Sequence, residues 1–149
     1  MQRNRIRLAA LIGAVTGAIL LPLRALAASW NEKAFDETRF PDALKSIGAL
    51  DLVESEQIEL KTPEIAENGA IVPIQVSSNI PATEKVFVFA EKNPQPLVAT
   101  FTFRQGVQPF FATRIKMGES ARVHVVVLAG GTHYTVSRDV KVTIGGCGE

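Results

Sequence analysis

The sequence holds one cysteine, one tryptophan, one tyrosine and two histidines in 149 residues. A lone thiol can build neither an intrachain disulfide framework nor a multi-cysteine metal site, so the apolar core must hold the fold. Charge of one sign is also lacking: 16 Lys+Arg stand against 15 Asp+Glu, a formal net charge of +1. A nucleic-acid binder would show a basic excess or stripe, and no such partner is expected. The most apolar stretch, residues 8–21, falls short of the roughly 20 residues that cross a bilayer. What is present is ordinary globular material, 46% hydrophobic and 21% charged, which excludes wholesale disorder and collagen-like repeats. The length suits a single domain.

The N-terminus reads as an address. Arg3, Arg5 and Arg7 open it, the uncharged run Leu8 to Leu21 follows, and Pro22, Leu23 and Arg24 close it. Ala25-Leu26-Ala27 is the small-x-small pattern of a signal-peptidase site, so residues 1–27 are read as a signal peptide cut before Ala28. No cysteine stands at the cut, which excludes a lipoprotein anchor there. The segment takes four arginines and no acid away from a chain of +1, leaving a mature chain of −3 that works outside the cytosol, with no membrane attachment after cleavage. Asn4 separates Arg3 from Arg5, whereas twin-arginine export uses adjacent arginines, so the Sec and Tat routes both stay open.

The body, residues 28–144, begins polar, with isolated Trp30, Phe35 and Phe40. Pro41 and Asp42 then open a short helix with Ala43, Leu44 and Ile47 on one face and Gly48 at its end. Beyond it the period is two. Strands are expected at Ile58 to Leu60, Ala70 to Val76, Glu84 to Glu91, Leu97 to Phe103, Phe110 to Lys116, Ala121 to Leu128 and Tyr134 to Ile144, divided by Gly, Pro and Asn turns. Pro73 hints at an edge or bulge. Leu97, Ala99, Phe101 and Phe103 should share one face. About seven short strands without helices between them predict an all-β, immunoglobulin-like antiparallel sandwich with a short N-terminal helix. A six- or seven-stranded barrel is the competing closure of the same pattern.

The body offers little chemistry. His124, His133, Met117 and Cys147 invite comparison with a blue-copper set, but a His and a Met would follow the Cys in one tight loop, and only Gly148 and Glu149 remain. Both histidines are read as strand residues. No phosphate-binding glycine loop and no nucleophile elbow is present. The charges Lys85, Glu91, Lys92, Arg104, Arg114 and Lys116 read as strand ends and solvent faces. No catalytic residue, metal or cofactor is expected.

The tail stands apart. After Ile144 come Gly145, Gly146, Cys147, Gly148 and Glu149, read as a flexible arm over residues 145–149. Glycine leaves the backbone thin and conformationally free, and three extended residues can hold the sulfur about 10 Å off the domain. Glu149 and the terminal carboxylate are negative and no base is near in sequence. The thiol should therefore stay at or above its free pKa of about 8.5 instead of being activated. An exported protein with one odd thiol uses it for pairing or reactivity. The pattern suits a handle on which other proteins act. A second reading is an immunoglobulin-like interaction module that makes an intermolecular disulfide through Cys147. A thiol enzyme acting alone fits poorly with so acidic a setting.

Val140-Lys141-Val142-Thr143-Ile144-Gly145-Gly146-Cys147-Gly148 resembles the hallmark tail of the SoxY family, the sulfur-compound carriers of the bacterial periplasmic thiosulfate-oxidising Sox system. Glu91-Lys92-Asn93-Pro94, Pro96-Leu97-Val98-Ala99, Phe101-Thr102-Phe103, Thr113-Arg114-Ile115-Lys116-Met117 and Ala129-Gly130-Gly131 extend the likeness over most of the mature chain. The resemblance implies a periplasmic carrier without turnover of its own, holding thiosulfate-derived sulfur on Cys147. Gly145, Gly146 and Gly148 would supply the arm's freedom. It implies a SoxZ-like second subunit in a heterodimer or larger assembly, which would cover a sheet face bearing some of Phe87, Phe89, Phe101, Phe103, Phe110 and Phe111. A c-type cytochrome, a sulfate-releasing hydrolase and a sulfur dehydrogenase would act on the cargo. The chain departs from the pattern at Glu149, where the family ending has a glycine. The export reading makes one direct prediction: N-terminal sequencing of the secreted chain should start at Ala28, and an intact Met1 would refute it.

Overall fold

A computed structural model describes residues 31–143. The expected signal peptide and the arm residues Gly145 to Glu149 lie outside the described residues. Two short helices lead the chain, α1 (Glu32–Asp36) and α2 (Phe40–Ser46), and nine strands follow. These are β1 (Leu52–Glu54), β2 (Ile58–Lys61), β3 (Ile65–Ala66), β4 (Val72–Ser78), β5 (Thr83–Ala90), β6 (Leu97–Thr102), β7 (Phe110–Ile115), β8 (Ala121–Ala129) and β9 (Thr132–Val142). One sheet runs β1-β9-β8-β5-β6, with β3 also paired to β9, and the other runs β2-β4-β7. This is the expected all-β sandwich with an N-terminal helix.

All seven expected strands are present, but two additional ones alter the topology. β1 and β3 both lie parallel to β9, Leu52 opposite His133 and Ala66 opposite Val142. Between them the chain crosses to the small sheet to form β2, so the sandwich is not purely antiparallel. The three residues of β1 and two of β3 are too few to display a period of two. The strand expected from Ala70 starts at Val72, because Asn68 Oδ1 accepts the Ala70 N–H at 2.9 Å and folds Gly69–Ile71 into a 3₁₀ turn. α1 was not expected. Asn31 caps it through its side-chain oxygen, and Asn31 Nδ2 and Glu37 both hydrogen-bond Ser46, tying it to α2. α2 ends in a Schellman motif, with Ala49 N–H on the Leu44 carbonyl and Gly48 N–H on that of Lys45.

The core lies on both faces of the large sheet. Val86, Val88 and Ala90 of β5 and Val123, Val125 and Val127 of β8 point to the small sheet, meeting Ile58, Leu60, Val72, Ile74 and Val76. Phe87, Phe89 and Val126 point the other way and are covered by Ala34, Ala43, Phe40, Leu44 and Ile47 of the helices. Burial on both faces explains why β5 reads as a continuous apolar run. Val86, Phe87, Val88, Phe89 and Ala90 are all buried.

Two expectations about single residues change. Leu97 does not share a face with Ala99 and Phe101. β5 pairs Val88 with Ala99 and Phe89 with Leu97, so Val98 is an extra residue in β6. This bulge turns Leu97 onto the helix-covered face beside Phe89. Pro73 sits on β4, the central strand of its sheet, yet β2 ends opposite Gln75 and only β7 pairs at Pro73, through Arg114. Its missing N–H therefore costs no ladder bond. Of the six phenylalanines considered for a partner face, Phe87 and Phe89 are buried under the chain's own helices, Phe101 stacks on Phe111 at 3.7 Å, and only Phe110 is exposed.

His124 joins the helical layer to the sheet. Its ring stacks on Phe40 at 4.4 Å, Phe40 meets Phe89 edge-on at 5.4 Å, and its Nε2 lies 3.1 Å from Glu91 Oε2. Burial lowers the His124 pKa from 6.5; Glu91 and more weakly Asp139 oppose this, and Arg122 adds to it. Burial also lowers that of His133. Between the folded values and 6.5 the unfolded chain binds protons that the folded chain does not. Stability is therefore full above about pH 6.5 and declines as the pH falls through the folded values. Urea denaturation at a series of pH values should show this loss on acidification, and His124→Gln should flatten it; an unchanged slope would exclude His124 as its source.

Candidate functional site

β9 ends at Val142, and its last residues are held from both sides. Ser120 Oγ accepts the Val142 N–H at 2.9 Å and lies 3.4 Å from the Val142 carbonyl, to which it can donate. On the opposite edge Lys141 N–H donates to the Glu64 carbonyl at 2.9 Å and Thr143 N–H to that of Ala66 at 3.0 Å. Thr143 is thus fixed against the sandwich, and Cys147 stands four residues further on in sequence.

Three connections gather around this root. Met117 N–H, after β7, donates to the Gly69 carbonyl at 2.7 Å. Asn93, between β5 and β6, spans to the β7–β8 connection with both ends of its amide. Its Nδ2 donates to the Lys116 carbonyl at 2.7 Å and its Oδ1 accepts the Gly118 N–H at 3.1 Å. Lys92 and Glu119 approach to 3.6 Å across the same gap, an exposed pair that contributes little. Gly69 is required by space. A Cβ there would overlap the Met117 carbonyl oxygen and press to 2.9 Å on Val142 Cγ1.

The sequence-derived site residues Cys147, Gly145, Gly146 and Gly148 lie outside the described residues, which end at Thr143. The discarded copper set is separated by the fold. Met117 is buried between the sheets, whereas His124 faces the helices. His133 is opposite Leu128 and His124 opposite Ser137, which sets the two imidazoles four residues apart along the ladder, about 13 Å. Among the described residues no group of three or more His, Cys, Asp or Glu is placed to hold a metal. His133 Nε2 is buried with no hydrogen-bond partner among them. Sequence reasoning missed Ser120, Ala66, Gly69 and Asn93 as members of the site. Glu91 to Pro94 and Thr113 to Met117 had been singled out, but nothing local reveals that loops distant in sequence meet at one end.

The fold and this root define a β-sandwich whose last described strand, anchored on both edges, is followed in sequence by the chain's one thiol. Comparison with known proteins specifies it further. The family model described as sulfur oxidation protein SoxY matches residues 44–147, a span that ends on Cys147. The solved structure of the sulfur carrier protein SoxY from Chlorobium limicola f thiosulfatophilum is 41% identical, with a TM-score of 0.65 over 76% of this chain and 100% of that one. No curated protein matches. The chain belongs to the SoxY family.

The packing at Gly69 makes a test of the root. Gly69→Ala should destabilise the fold by about 1–3 kcal/mol, the usual cost of overpacking, as read from the urea midpoint. A wild-type midpoint would mean that Met117 and Val142 yield freely.

Proposed function

We propose that this chain is a periplasmic carrier that holds thiosulfate-derived sulfur on Cys147 and presents it to partner enzymes, without turnover of its own. The observation that carries the reading is the family match running through to Cys147, on a scaffold whose last described strand is pinned at Val142 and Thr143. A strand fixed so close in sequence to the thiol suits handing a bound group from one active site to the next.

The chemistry asks one thing of the carrier, a thiol that other proteins can reach. A c-type cytochrome takes two electrons as the Cys147 sulfur bonds to the outer sulfur of thiosulfate, and the thiol proton is released. Water then cleaves the sulfur–sulfonate bond in a hydrolase, releasing sulfate and leaving a persulfide on Cys147. Where a sulfur dehydrogenase is present, it removes six electrons from that terminal sulfur with oxygen supplied by three waters, and a second hydrolysis returns the free thiol. The electrons go to the partners at every oxidation. The carrier contributes the attachment point and the recognition, and a SoxZ-like subunit completes the assembly in this reading.

Intact mass spectrometry of the chain from its native compartment tests the attachment. Reductant-labile additions of about 32 Da or its multiples, or of about 112 Da for thiosulfate, are expected on the Cys147 peptide, following from the thiolate's reactivity toward sulfur. Cys147→Ser should keep the fold and abolish thiosulfate oxidation in a reconstituted system. Full activity in that variant would remove the carrier reading, and a disulfide-linked dimer as the sole modified form would favour the interaction module.

A further inference from the structure

The open edges of the two sheets are not alike. β1 and β3 end the large sheet on one side with three and two residues. β6 ends it on the other, with its ladder to β5 interrupted at Val98. β2 ends the small sheet with four residues and is followed closely by Pro63. β7 is the remaining edge, pairing with β4 alone over six successive residue pairs without a bulge. Shortness, bulges and prolines are the usual protection of an edge, and β7 has none of them. Its main-chain alternation is set at its start, where Ser78 N–H donates to the Pro109 carbonyl. Phe111, Thr113 and Ile115 therefore turn their N–H and C=O groups to β4, and Phe110, Ala112 and Arg114 turn theirs away. Among the described residues no strand meets these outward groups.

The side chains along this edge form one patch. Phe110, Ala112 and Arg114 stand opposite Ser77, Gln75 and Pro73 on the outer face of the small sheet. Phe110 is 50% exposed. Arg114 and Lys116 are exposed cations in no ion pair among the described residues. On the inner side, a groove of about 580 Å³ is bordered by Val98 and Ala99 of β6 and by Thr113, Arg114 and Lys116, with Asp36 the one acid that lines it. An extended chain is the occupant whose own N–H and C=O groups match the outward ones. Arg114 and Lys116 ask for acids on that chain, and Phe110 for an apolar side chain. A second copy of β7 would bring no acid, since its sequence is Phe-Phe-Ala-Thr-Arg-Ile.

We infer that the free edge of β7 captures an extended acidic segment of a partner protein as an added antiparallel strand. Its carboxylates lie beside Arg114 and Lys116, an apolar residue lies beside Phe110, and its inward side chains enter the groove toward β6. Main-chain pairing supplies affinity and the two cations select the sequence. The inference goes beyond the carrier reading and uses neither the thiol nor β9.

The test adds a short acetylated and amidated peptide to the full mature chain and follows amide hydrogen exchange by NMR. The peptide alternates glutamate with valine in its N-terminal half and continues in valine and threonine. At about ten times its Kd, exchange at Ala112 and Arg114 should slow about tenfold. The double variant Arg114→Glu, Lys116→Glu should weaken the peptide about tenfold or more, as like charges across an interface do. Ala112→Pro removes one outward N–H, leaves the ladder to β4 standing, and should abolish the protection at Arg114. Unchanged exchange at both amides overturns the inference, as does protection that the charge reversal leaves intact. Protection that grows with chain concentration alone also overturns it, since a second copy would then be the occupant. If the proline variant shows a lowered urea midpoint, the charge reversal decides. The Cys147→Ser chain should bind the peptide as the wild type does, so failure of the carrier reading leaves this result untouched.

Discussion

The structure depends on the pairing of β9 along both its edges. One edge runs against β8 for nine residue pairs, from Ala129–Thr132 to Ala121–Val140. The other takes β1 at its start and β3 at its end. The two-residue hairpin between β8 and β9 sets this register, because Gly130 and Gly131 both adopt positive φ, 55° and 79°. A type I′ turn of this kind matches the strands' twist and admits few residues without strain. Since β1 and β3 lie on the same strand, the segment between them must leave for the small sheet and come back, which places β2. One strand thus joins the N-terminal region, the small sheet and the C-terminal root.

The second constraint is that the large sheet cannot face water on either side. Phe87, Phe89 and Val126 would be exposed if the helices were absent. Helices of five and seven residues would not persist by themselves. Each supplies what the other lacks, an apolar floor for the helices and a cover for the strand residues. His124 belongs to this contact. Its imidazole behaves as an aromatic filler with one polar edge, which it satisfies on Glu91.

Much of this was legible in the sequence, and the parts that were not share a cause. The alternation at Ile58 and Leu60, the uninterrupted apolar run of β5 and the Ala129-Gly130-Gly131 turn each report their structure within a few residues. α2 did the same through Pro41, Asp42 and Gly48. β1 and β3 exist only because β9 is beside them, and α1 only because Ala34 packs on the outer face. Leu97 had the right polarity and the wrong side, since the extra residue at Val98 shifts it one step out of the alternation that Ala99, Phe101 and Phe103 keep. At the candidate site, the thiol and its glycines stood out from composition. Ser120, Ala66, Gly69 and Asn93 did not, because their role is to meet across distances of sequence that no local pattern spans.

The clamp on Val142 and Thr143 also has a mechanical side. Hydrogen bonds between strands run across the strand axis. A pull on the chain beyond Thr143 directed along β9 strains the ladders to β8 and β3 side by side, in shear, and does not peel them one bond at a time. An anchor of this geometry yields late and all at once. Tension applied there would be carried into the large sheet instead of unravelling its last strand.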